Sequence, residues 1–168
     1  MKRWIMLFFG AALLAPLVAG AQSRVVVTEA VQVNAPARKV WDAIKDFDGL
    51  NKWHPAFASA VIIEGQNNMP GAKRKLTLKD GPSFDEQLLE FDDKGMSLRY
   101  VILGDAPLPV AEYDSTLTVL PLGPKMSIVI WRGSFLAKGA SDEDAHKGIT
   151  GAYVPLGLTA TDRAESGP

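Results

Sequence analysis

The chain has 168 residues, with 18 basic and 19 acidic side chains, two histidines and no cysteine. A nearly neutral balance argues against nucleic acid or an anionic membrane surface as a partner, since both require a basic footprint. Without cysteine the protein has neither disulfides nor thiolate ligands, and two histidines are too few for a convincing zinc site. We therefore expect no metal or redox cofactor.

Residues 1–21 have the composition of a secretory signal peptide. Lys2 and Arg3 form a basic start, residues 5–18 are almost wholly apolar, and the small residues that follow end at Ala21, where we expect cleavage. The alternative is an uncleaved membrane anchor. The 14 positions of this apolar stretch fall short of the ~20 residues needed to span a bilayer.

Cleavage would leave residues 22–168, a chain of 147 residues, which is the usual size of one domain with its own core. We expect that core to cover about residues 26–158. Loss of the two basic leader residues leaves 16 basic against 19 acidic side chains, a formal balance of −3. The leader predicts a bacterial periplasmic protein without a stable membrane anchor.

The mature chain is predicted to contain seven strands, with helices only after the first and the last. Runs rich in β-branched and aromatic residues, separated by Gly, Pro and Asn turns, indicate the strands. The predicted strands are 24–33, 58–64, 73–78, 83–91, 97–103, 110–119 and 126–135, and the predicted helices are 36–47, a short turn at 50–54, and a last helix from Ser141. Because no crossover helix joins neighbouring strands in the long run, the sheet should be antiparallel.

The segment 110–119 has the clearest alternation in the chain. Tyr113, Ser115, Leu117 and Val119 share one face, and polar residues occupy the other. A period of two with one mainly apolar face predicts a half-buried strand. The first two of these side chains should therefore face the interior between sheet and helix.

The last helix has a well-formed start and a weak end. Ser141 is a good N-cap, and Asp144 stands where a capping box places its acidic partner. Residues Ala145, Ile149, Ala152, Tyr153 and Leu156 line one face. Gly151 and Pro155 disfavour helix, so we expect a kink or break between them and a frayed end at residues 163–168.

This order of elements resembles the helix-grip, or START-like, superfamily, which includes polyketide cyclase/dehydrase-like proteins and plant hormone receptors. The resemblance rests on four segments: A-P-A-R-K-V-W at 35–41, K-W-H-P at 52–55, E-Q-L-L-E-F-D-D at 86–93, and the loop and strand at 104–119. It implies an α+β Bet v 1/START-like fold. A curved antiparallel sheet of about seven strands would wrap a long C-terminal helix, with two short helices after strand 1 and residues 79–82 at the gate-loop position.

The resemblance implies an internal apolar cavity that binds a hydrophobic small molecule. Glu86, Tyr113 and Ser115 match polar pocket positions, although Tyr113 could be ordinary core and Glu86 could face solvent. The receptors' carboxylate-binding lysine is absent from the matching segment 57–60, which argues against an acidic ligand. The predicted ligand-binding residues are Trp53, Phe57, Glu86, Tyr113, Ser115, Leu117, Trp131 and Tyr153.

Within the superfamily, the leader and the P-L-P-V segment at 107–110 look most like the periplasmic MxaD-like group. That similarity implies an accessory that assists electron transfer from methanol dehydrogenase to its cytochrome. A non-enzymatic binding or accessory role is therefore our leading interpretation, with a periplasmic dehydrogenase or cytochrome as the possible protein partner. Met126, Ile128 and Ile130, predicted to face outward, are candidates for the partner surface.

Two alternatives remain open. The chain could be a cyclase or dehydratase that uses Glu86 and His54 as acid or base, which requires a buried, perturbed carboxylate or histidine at the cavity. His54 is more simply interpreted as a partly exposed residue at a helix end. The other alternative is an interaction module whose cavity is filled by its own side chains, without a pocket of ~300 Å³.

Overall fold

The computed structural model describes residues 23–153. The predicted leader, Pro155 and the predicted frayed end lie outside these residues. The strands are β1 (Val25–Val33), β2 (Phe57–Glu64), β3 (Lys73–Leu78), β4 (Ser83–Asp92), β5 (Ser97–Leu103), β6 (Val110–Gly123) and β7 (Met126–Ala137), and the helices are α1 (Ala37–Ile44), α2 (Leu50–Trp53) and α3 (Asp142–Tyr153). A 3-10 turn, Phe47–Gly49, precedes α2.

All seven strands form one antiparallel sheet in the order β1-β7-β6-β5-β4-β3-β2. Five successive hairpins join β2 to β7, and β1 then pairs with β7, so that Val25 lies opposite Phe135 and Val33 opposite Ser127. The helix α3 packs on β1 and β7. This arrangement confirms the predicted helix-grip class.

The strand β6 confirms the predicted alternation and adds a bulge to it. Tyr113, Ser115 and Leu117 are buried, whereas Glu112 is exposed. The pairing with β7 shifts between Ala111 and Asp114, and Glu112 has a positive φ of 50°. Such a bulge inserts one extra residue into the ladder, and it sets the register that turns the following side chains inward.

The start of α3 is capped as the sequence predicts. The backbone N–H of Asp144 donates to the Ser141 hydroxyl at 3.1 Å, and that hydroxyl donates to the Asp144 carboxylate at 2.8 Å. Ala145, Ile149 and Tyr153 are buried on the side facing the sheet. No helix among the described residues is long and apolar enough to cross a bilayer.

The outer face of β7 carries the apolar side chains that the sequence places there. Met126, Ile128 and Ile130 are half-buried, and each alternates with an inward neighbour. On β6, the adjacent Leu120 and Leu122 remain more than two-fifths exposed. The outer end of the β6–β7 hairpin is therefore apolar and partly open to solvent.

Candidate functional site

A cavity lies between the inner face of the sheet and α3, and its wall is mainly aromatic and aliphatic. Its lining residues are Leu50, His54, Phe57, Phe84, Glu86, Tyr100, Ile102, Leu108, Tyr113, Trp131, Ile149, Ala152 and Tyr153. The free volume between them is about 40 Å³, room for one or two water molecules. In this conformation the protein's own side chains fill the cavity, as the interaction-module alternative expects.

The predicted ligand-binding residues divide into three groups. Phe57, Glu86, Tyr113, Trp131 and Tyr153 line the cavity. Ser115 lies behind it, bonded to two of the lining side chains. Trp53 and Leu117 instead line a smaller void of about 10 Å³, which Trp131 also borders.

Tyr153 closes the cavity from α3. Its ring stacks on Trp131, with centroids 4.3 Å apart and 8° between the planes. The Tyr153 hydroxyl forms a short hydrogen bond with the Tyr113 hydroxyl and lies 3.3 Å from the Ser115 hydroxyl oxygen. Burial raises the pKa of Tyr153 to about 12 and that of Tyr113 well above its usual value. Both phenols are therefore neutral at physiological pH.

The polar groups around Tyr153 form one connected network. The Trp131 indole N–H lies 2.9 Å from both the Tyr100 hydroxyl oxygen and the Ser115 hydroxyl oxygen. Ser115 donates to the backbone carbonyl of Arg132 at 3.0 Å. A polar group that enters the cavity would thus meet neutral hydroxyls whose positions are already fixed.

Glu86 is only 4% exposed, so the alternative that it faces solvent is wrong. It forms a buried ion pair with Arg74, whose Nε and Nη2 donate to the same carboxylate oxygen at 2.8 and 2.5 Å. Arg74 also donates to the Phe47 carbonyl at 2.5 Å, and its guanidinium lies 4.0 Å above the Phe47 ring. Burial raises the pKa of Glu86, and the Arg74 charge offsets part of this effect.

His54 is 2% exposed, so its interpretation as a partly exposed residue is wrong. Its Nε2 lies 2.8 Å from the Ala152 carbonyl oxygen, and its Nδ1 accepts from the Ala56 N–H at 3.2 Å. These partners require a neutral ring that carries its proton on Nε2. Burial lowers the pKa of His54, although the bond to Ala152 opposes this effect.

Sequence reasoning missed several lining residues. Phe84 lies on the same face of β4 as Glu86, and Tyr100 and Ile102 share one face of β5. The alternation of side chains along each strand could therefore have identified all three as inward-facing residues. Arg74 gave no such signal, because its role depends on the pairing of β3 with β4. Among residues 23–153, no cluster of three or more His, Asp or Glu side chains could hold a metal ion.

Comparisons with known proteins agree with this fold. The family described as polyketide cyclase / dehydrase and lipid transport matches residues 24–162. The solved structure of the protein XoxI from Bacillus cereus is 33% identical, with a TM-score of 0.74, and the match covers 83% of this chain and 94% of that one.

Two more distant structures share the fold alone. A START superfamily protein from Mycobacterium smegmatis is 16% identical, with a TM-score of 0.70 and coverage of 84% of this chain and 97% of that one. The Zhui aromatase/cyclase from Streptomyces sp. R1128 is 18% identical, with a TM-score of 0.71 and coverage of 85% and 94%. None of the curated proteins compared with the chain matches it.

Proposed function

Because this chain belongs to the polyketide cyclase/dehydrase and lipid transport family, we propose that it binds a hydrophobic small molecule between its sheet and α3 without transforming it. The observation that carries the proposal is a mainly apolar wall with a few fixed hydroxyls directed inward. Apolar walls supply affinity in such sites, and a small number of polar groups orient the ligand.

Binding requires the cavity to open, since about 40 Å³ is too small for a ligand of ordinary size. The helix α3 is the element suited to move. Gly148 and Gly151 weaken it. It packs on the sheet through Ile149 and Tyr153, and its Ala152 carbonyl is bonded to His54, the residue after α2. Withdrawal of its last turn would release the volume that Tyr153 now occupies.

Native mass spectrometry of the protein isolated from its own cells tests the proposal. We expect a bound hydrophobic molecule in the wild type and its loss in Ile102→Trp, where the larger ring would fill the cavity. Val101→Trp is the matched control, because Val101 neighbours Ile102 on β5 but points to the opposite face. Equal ligand content in both variants, or an empty wild type that takes up no hydrophobic probe, would contradict the proposal.

We also propose that the protein acts in the periplasm, after cleavage following Ala21, as an MxaD-like accessory of methanol oxidation. The leader composition and the sequence resemblance support this role. The apolar outer end of the β6–β7 hairpin, with Leu120 and Leu122, offers a surface for a dehydrogenase or cytochrome. Cell fractionation with N-terminal sequencing tests the periplasmic location and the cleavage site. Loss of cross-linking to such a partner in Leu122→Asp, but not in Val61→Asp, tests the surface.

A cyclase or dehydratase activity is the second candidate, and buried Glu86 with its raised pKa favours it. The hydrogen bonds of the two candidate residues, Glu86 and His54, argue against a catalytic role. Glu86 is held by Arg74, and both ring nitrogens of His54 are bonded to backbone groups. If the molecule found bound is converted by the wild type but only bound by Glu86→Gln, the protein is an enzyme. If neither protein converts it, the binding role stands.

A further inference from the structure

Tyr153 occupies the cavity as a ligand would. Its ring covers the face of Trp131, and its hydroxyl ends between Tyr113 and Ser115. Gly133 provides the space for that hydroxyl, because a Cβ at this position would overlap it. The cavity therefore contains a socket that fits one phenol ring, formed by a stacking surface, two hydroxyl partners and a position without a side chain.

The socket is selective in shape and charge. The parallel stack on Trp131 favours a flat aromatic ring over a saturated one. Arg74, the guanidinium beside the cavity, is already bound to Glu86 and to the Phe47 carbonyl. A ligand carboxylate would find no free cation among these side chains and would approach the charge of Glu86. A neutral hydroxyl meets the bonding needs of Tyr113 and Ser115 instead.

The occupying ring belongs to the last turn of α3 that the structure describes. Besides the stack and the hydroxyl contacts, the bond from His54 to the Ala152 carbonyl holds this turn. Gly151 lies within this turn and Gly148 lies just before it, and both make local opening less costly than in an alanine-rich helix. A competitor that reproduces the contacts of Tyr153 could therefore replace it.

We propose that Tyr153 is a built-in occupant of the cavity, and that the external ligand is a neutral single-ring phenol that displaces the Tyr153 ring from Trp131. This inference rests on the proposed binding function and adds the chemical class of the ligand. Tyr153 thereby sets the specificity of the site, because a ligand must make its stack and its hydroxyl contacts better than the protein does itself.

The test uses the full chain and p-cresol, which is the side chain of tyrosine as a free molecule. We expect Tyr153→Ala to bind p-cresol at least about tenfold more tightly than the wild type, because no ring has to be displaced. Toluene lacks the hydroxyl and 4-methylcyclohexanol lacks the flat ring, so both should bind this variant at least about tenfold more weakly than p-cresol. Titration calorimetry measures all three.

Phe91→Ala is the matched control. It removes an aromatic ring that packs on Trp41 and does not line the cavity, and it leaves the Trp131 stack in place. Its affinity for p-cresol should stay near the wild-type value. Equal gains in both variants, or equal affinity of Tyr153→Ala for p-cresol and 4-methylcyclohexanol, would overturn the inference.

Wild-type protein provides a second measurement that does not depend on the folding of a variant. Binding of p-cresol at a saturating concentration should speed amide hydrogen exchange in residues 149–153, because the last described turn of α3 is withdrawn. Binding without that change overturns the inference. If the wild type takes up decanol in the cavity but refuses phenols, the inference fails and the proposed function stands. If it takes up neither probe, both fail.

Discussion

The buried ion pair between Arg74 and Glu86 leads to a prediction about stability, and a neighbouring ion pair provides its experimental control. Arg74→Met keeps most of the side-chain volume but removes both bonds to Glu86 and the bond to the Phe47 carbonyl. Both charged side chains are about 5% exposed. Removing one partner of such a pair leaves a buried charge uncompensated, and we expect the free energy of unfolding to fall by about 3–5 kcal/mol.

The matched control is the next pair along the same two strands. Lys75 lies opposite Asp85 as Arg74 lies opposite Glu86, but this pair faces solvent, with side chains 48% and 34% exposed. Exposed pairs contribute little, so Lys75→Met should cost less than about 1 kcal/mol. Urea unfolding followed by tryptophan fluorescence measures both variants against the wild type.

The pH dependence of the loss distinguishes charge burial from lost packing. In Arg74→Met, the carboxyl of Glu86 loses its counter-charge, so its folded pKa rises further above the unfolded value. A group with a raised acid pKa stabilises the folded chain at low pH and loses that contribution as pH rises. The loss of unfolding free energy in Arg74→Met, relative to the wild type, should therefore be smaller near about pH 5 than near about pH 8. A loss no larger than that of Lys75→Met, or one independent of pH, would refute the reasoning.

Three further predictions use the same unfolding assay. Gly133→Ala should cost about 1–3 kcal/mol and increase uptake of hydrophobic probes, because the new Cβ displaces Tyr153; unchanged stability and uptake would contradict the tight fit. Between about pH 8 and about pH 5.5, the free energy of unfolding of the wild type should fall by up to ~1.4 kcal/mol more than that of His54→Gln. Burial lowers the pKa of His54 in the folded chain, so the unfolded chain takes up the proton first as pH falls. Parallel plots of unfolding free energy against pH for the two proteins would show that His54 does not titrate in this way. Ser141→Ala should cost about 1 kcal/mol by removing the cap of α3, and a loss equal to that of Ser134→Ala would argue against the cap.

Local pattern was enough to predict the strands and the inward face of β6. Tyr113, Ser115 and Leu117 were assigned correctly because side chains alternate across a strand whatever its partner. The cap at Ser141 was equally local, since its partner Asp144 is three residues away. Features that depend on a period or on a short spacing were therefore available from the sequence.

The ion pair between Arg74 and Glu86 could not be predicted from the sequence, because it depends on the register of β3 against β4. The predicted loop 79–82 would place Leu78 opposite Ser83, and Arg74 would then face Gln87. In the structure, Thr77 lies opposite Ser83, and Arg74 faces Glu86. A difference of one residue in the length of this loop therefore decides which side chain of β4 pairs with the Arg74 guanidinium. Likewise, the closure of the cavity depends on where α3 docks, which no local pattern in the chain specifies.

The pairing of β1 with β7 also governs when the chain can fold. Val25 lies opposite Phe135, so the first strand to be synthesised has to wait for the last. The hairpins from β2 to β7 join neighbours in sequence and can form as the chain lengthens, but the sheet cannot be completed until residue 137 is available. Such distant contacts slow folding. We therefore expect the nascent chain to stay incompletely folded, with β1 unpaired, until β7 has been made.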